Sequence, residues 1–181
     1  MRVALVPGVL AFLPEYAGQV DPVPDVRAAA LAAAAWLAED GPVSVVADEQ
    51  GARVGRHLLR AVGAAEGEGP DRSTGYLVVA NGSARRTDTA PGYLDERAVP
   101  YDAAVEAALR APDPDALAGI DVALGAALLV GNPAALVHLG TLLRGAGPAL
   151  VDYADDPYGV QYWVMRWVVT DPGHVSEGSD A

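Results

Sequence analysis

The sequence predicts an α/β fold with a mainly parallel central sheet flanked by helices. Three observations carry the prediction. Short apolar runs stand at Val3–Val6, Val43–Ala47 and Tyr76–Ala80, the length and Val/Leu content of strands covered on both faces. Helical patterns separate these runs, and strand–helix alternation implies parallel pairing through crossovers. Each run ends in a break or a polar segment: Pro7-Gly8, Asp48-Glu49-Gln50 and Asn81-Gly82.

The elements follow in order. After the first strand, Phe12 to Pro24 reads as a loop because of Pro14, Gly18, Pro22 and Pro24. Asp25 is the expected cap of an Ala-rich helix to about Glu39, stopped by Asp40-Gly41-Pro42. Arg53 to Ala65 reads as a second helix, with Val54, Leu58, Leu59 and Val62 on its apolar stripe and Arg53, Arg56, His57 and Arg60 on its polar side. Glu66 to Ser73 is a polar loop. A helix is expected from about Asp95 to Arg110, a break at Ala111–Asp115 and a short helix to Gly119. Asp121 to Val130 is apolar and helical. Pro133 opens another helix to about Arg144, the position at which proline is best tolerated. Ala149–Tyr153 and Val160–Val169 are the last two strands. In the final one, Gln161, Trp163, Met165 and Trp167 alternate with Tyr162, Val164, Arg166 and Val168, so its two faces are used differently. The tryptophan–methionine row reads as core or as the face of a homo-oligomer. Residues 1–170 form a single predicted domain, and 171–181 a polar, disordered tail.

Composition narrows the classes of function. All 12 cations are Arg against 24 acidic residues, giving a net charge of −12. Nucleic acid and anionic membrane are therefore excluded as main partners, since both need a basic face. The absence of Cys excludes disulfides, thiolate metal sites and cysteine nucleophiles. No apolar run reaches the ~20 residues of a membrane span. The N-terminal run superficially resembles a signal peptide, but Pro7 and Pro14 interrupt it and no small-residue cleavage site follows promptly. The expectation is a cytoplasmic protein, in which the sequon Asn81-Gly82-Ser83 has no meaning.

In an open α/β sheet, ligands bind beyond the carboxyl ends of the strands. If the first three strands are parallel, their following loops meet at one edge. Those loops bring Glu15, Asp48, Glu49, Asn81, Ser83, Arg85 and Arg86 as candidate ligand-binding residues. Carboxylates facing guanidiniums suit a small polar or acidic molecule, with Arg gripping a carboxylate bidentately. No metal site is expected. A non-haem iron triad needs two His and a carboxylate converging, and His57, His138 and His174 all lie away from strand ends. Asp152, Asp155 and Asp156 make an acidic corner that lacks calcium-loop spacing and reads as a turn. No catalytic residue is assigned, because Ser83 has neither a G-x-S-x-G elbow nor a neighbouring His, and no phosphate-binding glycine motif is present.

The segments ALVPGVLAFLPEYAG, VVANGSARRTDTAPGYLDERAVPYDAAVEAAL, DPDALAGIDVALGAALLVGNPAALVHL and DYADDPYGVQYWVMRW resemble an actinobacterial family of class III extradiol ring-cleavage dioxygenase subunit-B-like proteins. The resemblance covers nearly the whole chain, with a shortened segment between the second and third strands. It implies an α/β fold with a cleft at the strand carboxyl edge. In true extradiol enzymes that cleft holds ferrous iron and cleaves a catecholic ring with dioxygen. Here Gly8 stands where those enzymes place a ligand His, Ala47-Asp48-Glu49 replaces the second ligand, and Ser83-Ala84-Arg85 stands where active relatives carry a catalytic His. The expectation is a degenerate metal site, no cofactor, and a binding or regulatory protein. The alternatives are an iron-dependent extradiol dioxygenase with unconventional ligands, and a non-redox enzyme using a cleft carboxylate and an Arg clamp.

Overall fold

The computed structural model describes residues 1–16, 18–67 and 74–170. The polar tail expected at 171–181, with His174, lies outside the described residues. The described elements are β1 (Arg2–Val6), α1 (Pro24–Ala38), β2 (Val43–Val46), α2 (Glu49–Ala61), β3 (Gly75–Val79), α3 (Ala98–Arg110), α4 (Pro114–Ala118), α5 (Val122–Ala127), α6 (Pro133–Leu142), β4 (Leu150–Asp155) and β5 (Tyr162–Val168). Single 3-10 turns stand at Leu10–Phe12, Pro14–Tyr16 and Pro157–Gly159. The second lies inside the stretch expected to be loop, and the first ends where that stretch begins.

The five strands form one open sheet in the order β2-β3-β1-β5-β4. β3 pairs in parallel with both β1 and β2, so the three apolar runs at the head of the sequence are neighbours. β5 runs antiparallel to β1 and to β4. The sheet is thus mixed, which corrects the expectation of a mainly parallel one. The reason is connection length. Only residues 156–161 join β4 to β5, and a parallel crossover needs about a dozen or more. A hairpin is the only solution, and its second strand then meets β1 head to tail.

Each sheet face carries its own core. On one face α1 and α2 set Ala30, Ala33, Leu37, Val54 and Leu58 against Ala4, Val6, Leu77 and Val79. On the other, α3, α4 and α6 set Val105, Leu109, Leu117, Leu136 and Leu139 against Val3, Leu5, Val78 and the row Trp163, Met165, Trp167. That row is core, fully buried. Its indole N–H groups find acceptors, Trp163 in Glu106 at 3.0 Å and Trp167 in the Leu109 carbonyl at 3.1 Å, as buried tryptophan requires. α1 carries the chain outward from β1 to β2, and α2 brings it back to β3. Both helices cover the same face, so the two crossovers have opposite hands and one of them takes the rare left-handed form.

Two helix starts differ from expectation for local reasons. α2 begins at Glu49 rather than Arg53, because Asp48 Oδ1 accepts the Gly51 N–H at 2.7 Å and caps the helix. α1 begins at Pro24 with Val23 in the cap position. Asp25 lies within its first turn, where its charge complements the helix dipole. Gly55 lets α2 settle onto the sheet, since a Cβ there would stand 2.8 Å from Val45 Cγ1.

Candidate functional site

β1, β2 and β3 point their carboxyl ends to one edge. Past that edge the chain from β1 goes to the α1 face and the chain from β3 to the opposite face. Adjacent strands that part in this way leave a crevice between them, the usual ligand position in an open α/β sheet. Gly8, Asp48, Gln50, Asn81, Gly131 and Asn132 border it, with a free volume of about 30 Å³, roughly the room of one water molecule. A second cavity, of about 320 Å³, shares Asp48 and Gln50 with it and is bounded further by Leu10, Tyr16, Glu49 and Arg53.

The crevice walls are held by backbone chemistry. Asn81 and Gly131 exchange N–H···O bonds at 3.0 and 3.1 Å, tying the end of β3 to the start of α6. Gly131 permits this close approach, because a Cβ there would stand 2.3 Å from Asn81 Oδ1. Asn132 takes the left-handed conformation, φ 58° and ψ 61°, and caps α6 by accepting from Ala135 N–H at 3.3 Å. Its Nδ2 donates to the Val79 carbonyl at 3.2 Å. Gly8 is under no such constraint. A Cβ on it would make ordinary contacts, 3.5 Å from Val79 Cγ1 and 3.8 Å from Asn81 Oδ1.

The structure divides the residues singled out in the sequence. Asp48, Glu49 and Asn81 line the crevice and its cavity. Glu15 stands farther down the outer side of α2, where its Oε1 accepts from Arg53 at 2.6 Å. A hydrogen bond from its own backbone, then the one from Arg53, holds the Glu15 carboxyl below its ordinary pKa. Ser83 turns inward and is fully buried. Arg85 donates to the carbonyls of Tyr93 and Ala127 at 3.4 and 3.1 Å. Arg86 donates to Asp102 at 2.9 Å and Asp156 at 2.7 Å. Burial works against its charge, but those two carboxylates outweigh it and raise its pKa.

The residue that organises this inner group, Asp102, was not among the candidates. It is 1% exposed and accepts three bonds: from Ser83 N–H at 2.9 Å, Ser83 Oγ–H at 2.6 Å and Arg86 at 2.9 Å. A signal was present. Ala98, Val105 and Leu109 mark the buried stripe of α3, and Asp102 falls on that stripe, four residues from Ala98 and three from Val105. A carboxylate there must have partners inside. The serine hydroxyl and the Arg86 guanidinium supply them, so the group is a structural tie between the loop after β3, α3 and the β4–β5 turn.

Of the histidines, His57 lies among the arginines of α2, and His138 borders a separate cavity beside β2 with Ser44 and Tyr76. Among the described residues, no group of three His, Asp or Glu side chains is placed to hold a metal ion. The acidic corner is accounted for by pairing. Asp152 takes Arg166 bidentately at 2.6 and 2.7 Å, Asp156 takes Arg86, and Asp155 Oδ1 accepts the Asp156 N–H at 2.9 Å. Among the described residues no helix is long and apolar enough to cross a membrane.

The chain matches no protein-family model and no curated protein sequence. What the cleft offers chemically is one capping carboxylate, a second carboxylate at its rim, three carboxamides, and the backbone edges of three glycines.

Proposed function

We propose that this chain is an extradiol dioxygenase subunit-B-like protein that works without iron and binds a small polar molecule in the crevice beyond β1 and β3. The observation that carries the reading is the convergence of Gly8, Asp48 and Asn81 at the strand ends. Gly8 and Asp48 stand where the resemblance expects metal ligands, and Asn81 lies two residues before Ser83-Ala84-Arg85, where it expects a catalytic His. They do not fit ferrous iron. Gly8 has no side-chain donor, Asp48 Oδ1 is committed to the Gly51 N–H, and a carboxamide is a poor partner for one remaining carboxylate oxygen. No step through iron is derived.

The polar character of the ligand follows from the lining. Asp48, Glu49 and Asn81 Oδ1 accept hydrogen bonds, and the Gln50 carboxamide both donates and accepts. The acidic ligand expected from Arg85 and Arg86 loses its basis in this cleft, because both guanidiniums are engaged elsewhere. Binding or regulation, rather than catalysis, is the role such a lining supports.

The test has two arms. The protein is incubated anaerobically with ferrous iron, desalted and assayed for metal, and oxygen uptake is followed with protocatechuate. The expected result is no stoichiometric iron and no substrate-dependent uptake; about one iron per chain with such uptake overturns the reading. In parallel, amide shifts of Gly8, Gly51 and Gly131 are monitored by NMR against neutral sugars, amino acids and nucleosides. At least one class should move these three together and fail to do so in Gly8→Leu, whose side chain fills the crevice. If none of the three classes perturbs them, the binding role falls.

A further inference from the structure

The polar side of α2 is absorbed neither by the crevice nor by the core. Arg53, Arg56, His57 and Arg60 recur at i, i+3, i+4 and i+7, which stacks them on one helix face. With Leu13, and Pro14 and Glu15 from the second 3-10 turn, they line a cavity of about 420 Å³. Three of the chain's 12 arginines thus meet in one hollow of a protein whose net charge is −12.

Among the described residues two carboxylates compensate this group in part, and Arg60 is left over. Among the described residues Glu15 is the one carboxylate lining the hollow, and it serves Arg53 at 2.6 Å. Glu66 pairs with Arg56 through Nε at 2.8 Å, and among the described residues the terminal nitrogens of that guanidinium make no further ion pair. Arg60 makes no ion pair among the described residues. Like charges at i, i+3 and i+4 repel along a helix, so the arrangement has a standing electrostatic cost that a bound anion would relieve. The guanidinium fork matches the geometry of phosphate oxygens, and several forks converging suit a dianion better than a single carboxylate.

We propose that this hollow binds the phosphoryl group of a small soluble molecule, with Arg56 and Arg60 as its main contacts and Arg53 as a third contact competed for by Glu15. The source is a soluble phosphate ester or pyrophosphate rather than a lipid headgroup. A chain with this excess of acid is repelled from an extended anionic surface, whereas a small anion enters one hollow only. The hollow shares Arg53 with the cavity beside the crevice, but its main contacts Arg56 and Arg60 do not line that cavity, so their variants test it independently of the iron and polar-ligand reading.

The experiment titrates the whole protein with pyrophosphate by calorimetry at low salt, with phosphatidylglycerol vesicles as a second arm. Saturable pyrophosphate binding is expected. It should weaken by about tenfold or more in Arg56→Gln and in Arg60→Gln, the loss of one charge-assisted contact. Glu15→Gln should tighten it by freeing Arg53. Arg97→Gln, at an exposed site paired only with Asp95, should leave it unchanged. All these side chains are on the surface, so the variants keep the fold, and unchanged circular dichroism verifies that. Four results overturn the proposal: no pyrophosphate binding, binding equal in all variants, weaker binding in Glu15→Gln, or binding to vesicles alone.

Discussion

Replacing Asp102 with Ala removes the acceptor of three buried bonds at once. The Ser83 N–H and hydroxyl, at 2.9 and 2.6 Å, lose their partner in a place water does not reach. Arg86, whose side chain is 16% exposed, keeps Asp156 but loses its fully buried counterion. Orphaned neutral donors cost about 1–3 kcal/mol each, and breaking a buried ion pair from one side about 3–5 kcal/mol. Relief through the surviving Asp156 pair and local relaxation hold the expected total to about 4 kcal/mol, a large part of the ~5–15 kcal/mol that holds a domain folded. At a slope near 2 kcal/mol per molar urea, the unfolding midpoint falls by about 2 M with the slope unchanged. Ser83→Ala is the internal control. It leaves Asp102 satisfied by Arg86 and the Ser83 N–H, and costs about 1–2 kcal/mol. A midpoint shift below about 0.5 M for Asp102→Ala, or equal losses in the two variants, refutes the view of Asp102 as the organiser of this interior.

Two further outcomes follow from the same interior. Burial first, then the charges of Asp102 and Asp121, push the Tyr101 phenol up to about 12, against about 10 in an unfolded chain. Its contribution to stability is whole below pH ~10 and is lost as pH rises through about 12. An alkaline unfolding series should show decline over that window, and Tyr101→Phe should delete a late component of the tyrosinate absorbance titration; a variant titrating like the parent contradicts this. Gly131→Ala forces a methyl to within 2.3 Å of Asn81 Oδ1. It should cost about 1–3 kcal/mol and speed hydrogen exchange at the Asn81 amide, and unchanged exchange there would show that the bridge is not what holds the crevice wall.

The parallel core of the sheet was legible because Val3–Val6, Val43–Ala47 and Tyr76–Ala80 must bury both faces and are too short for helices. That the sheet is mixed was legible in principle, since residues 156–161 leave room only for a hairpin and one of its two strands must then oppose the parallel set, yet strand–helix alternation earlier in the chain outweighed that count. The start of α2 was missed because Glu49-Gln50-Gly51 carries no apolar residue. The cap at Asp48 decides it, and a cap acts through one hydrogen bond rather than through a pattern. The candidate site was legible as a position and not as a membership. Sequence order says which loops meet at an edge; it does not say that the chain turns inward after Gly82. That turn depends on Asp102, nineteen residues on from Ser83.

The place of β3 between β1 and β2 has a consequence for how the chain is made. β1 and β2 come first in synthesis but do not touch as strands. Each gains its first parallel partner only when Gly75–Val79 arrives between them. The other side of β1 waits until Tyr162–Val168. The nascent chain therefore holds two unpaired hydrophobic strands until Gly75–Val79 has emerged. β3 acts as a keystone, and the sheet closes late through contacts distant in sequence, a topology that folds slowly and keeps exposed edges longest. For such a chain the hazard lies in the interval before the keystone is set, when Val3–Val6 and Val43–Val46 can pair with strangers.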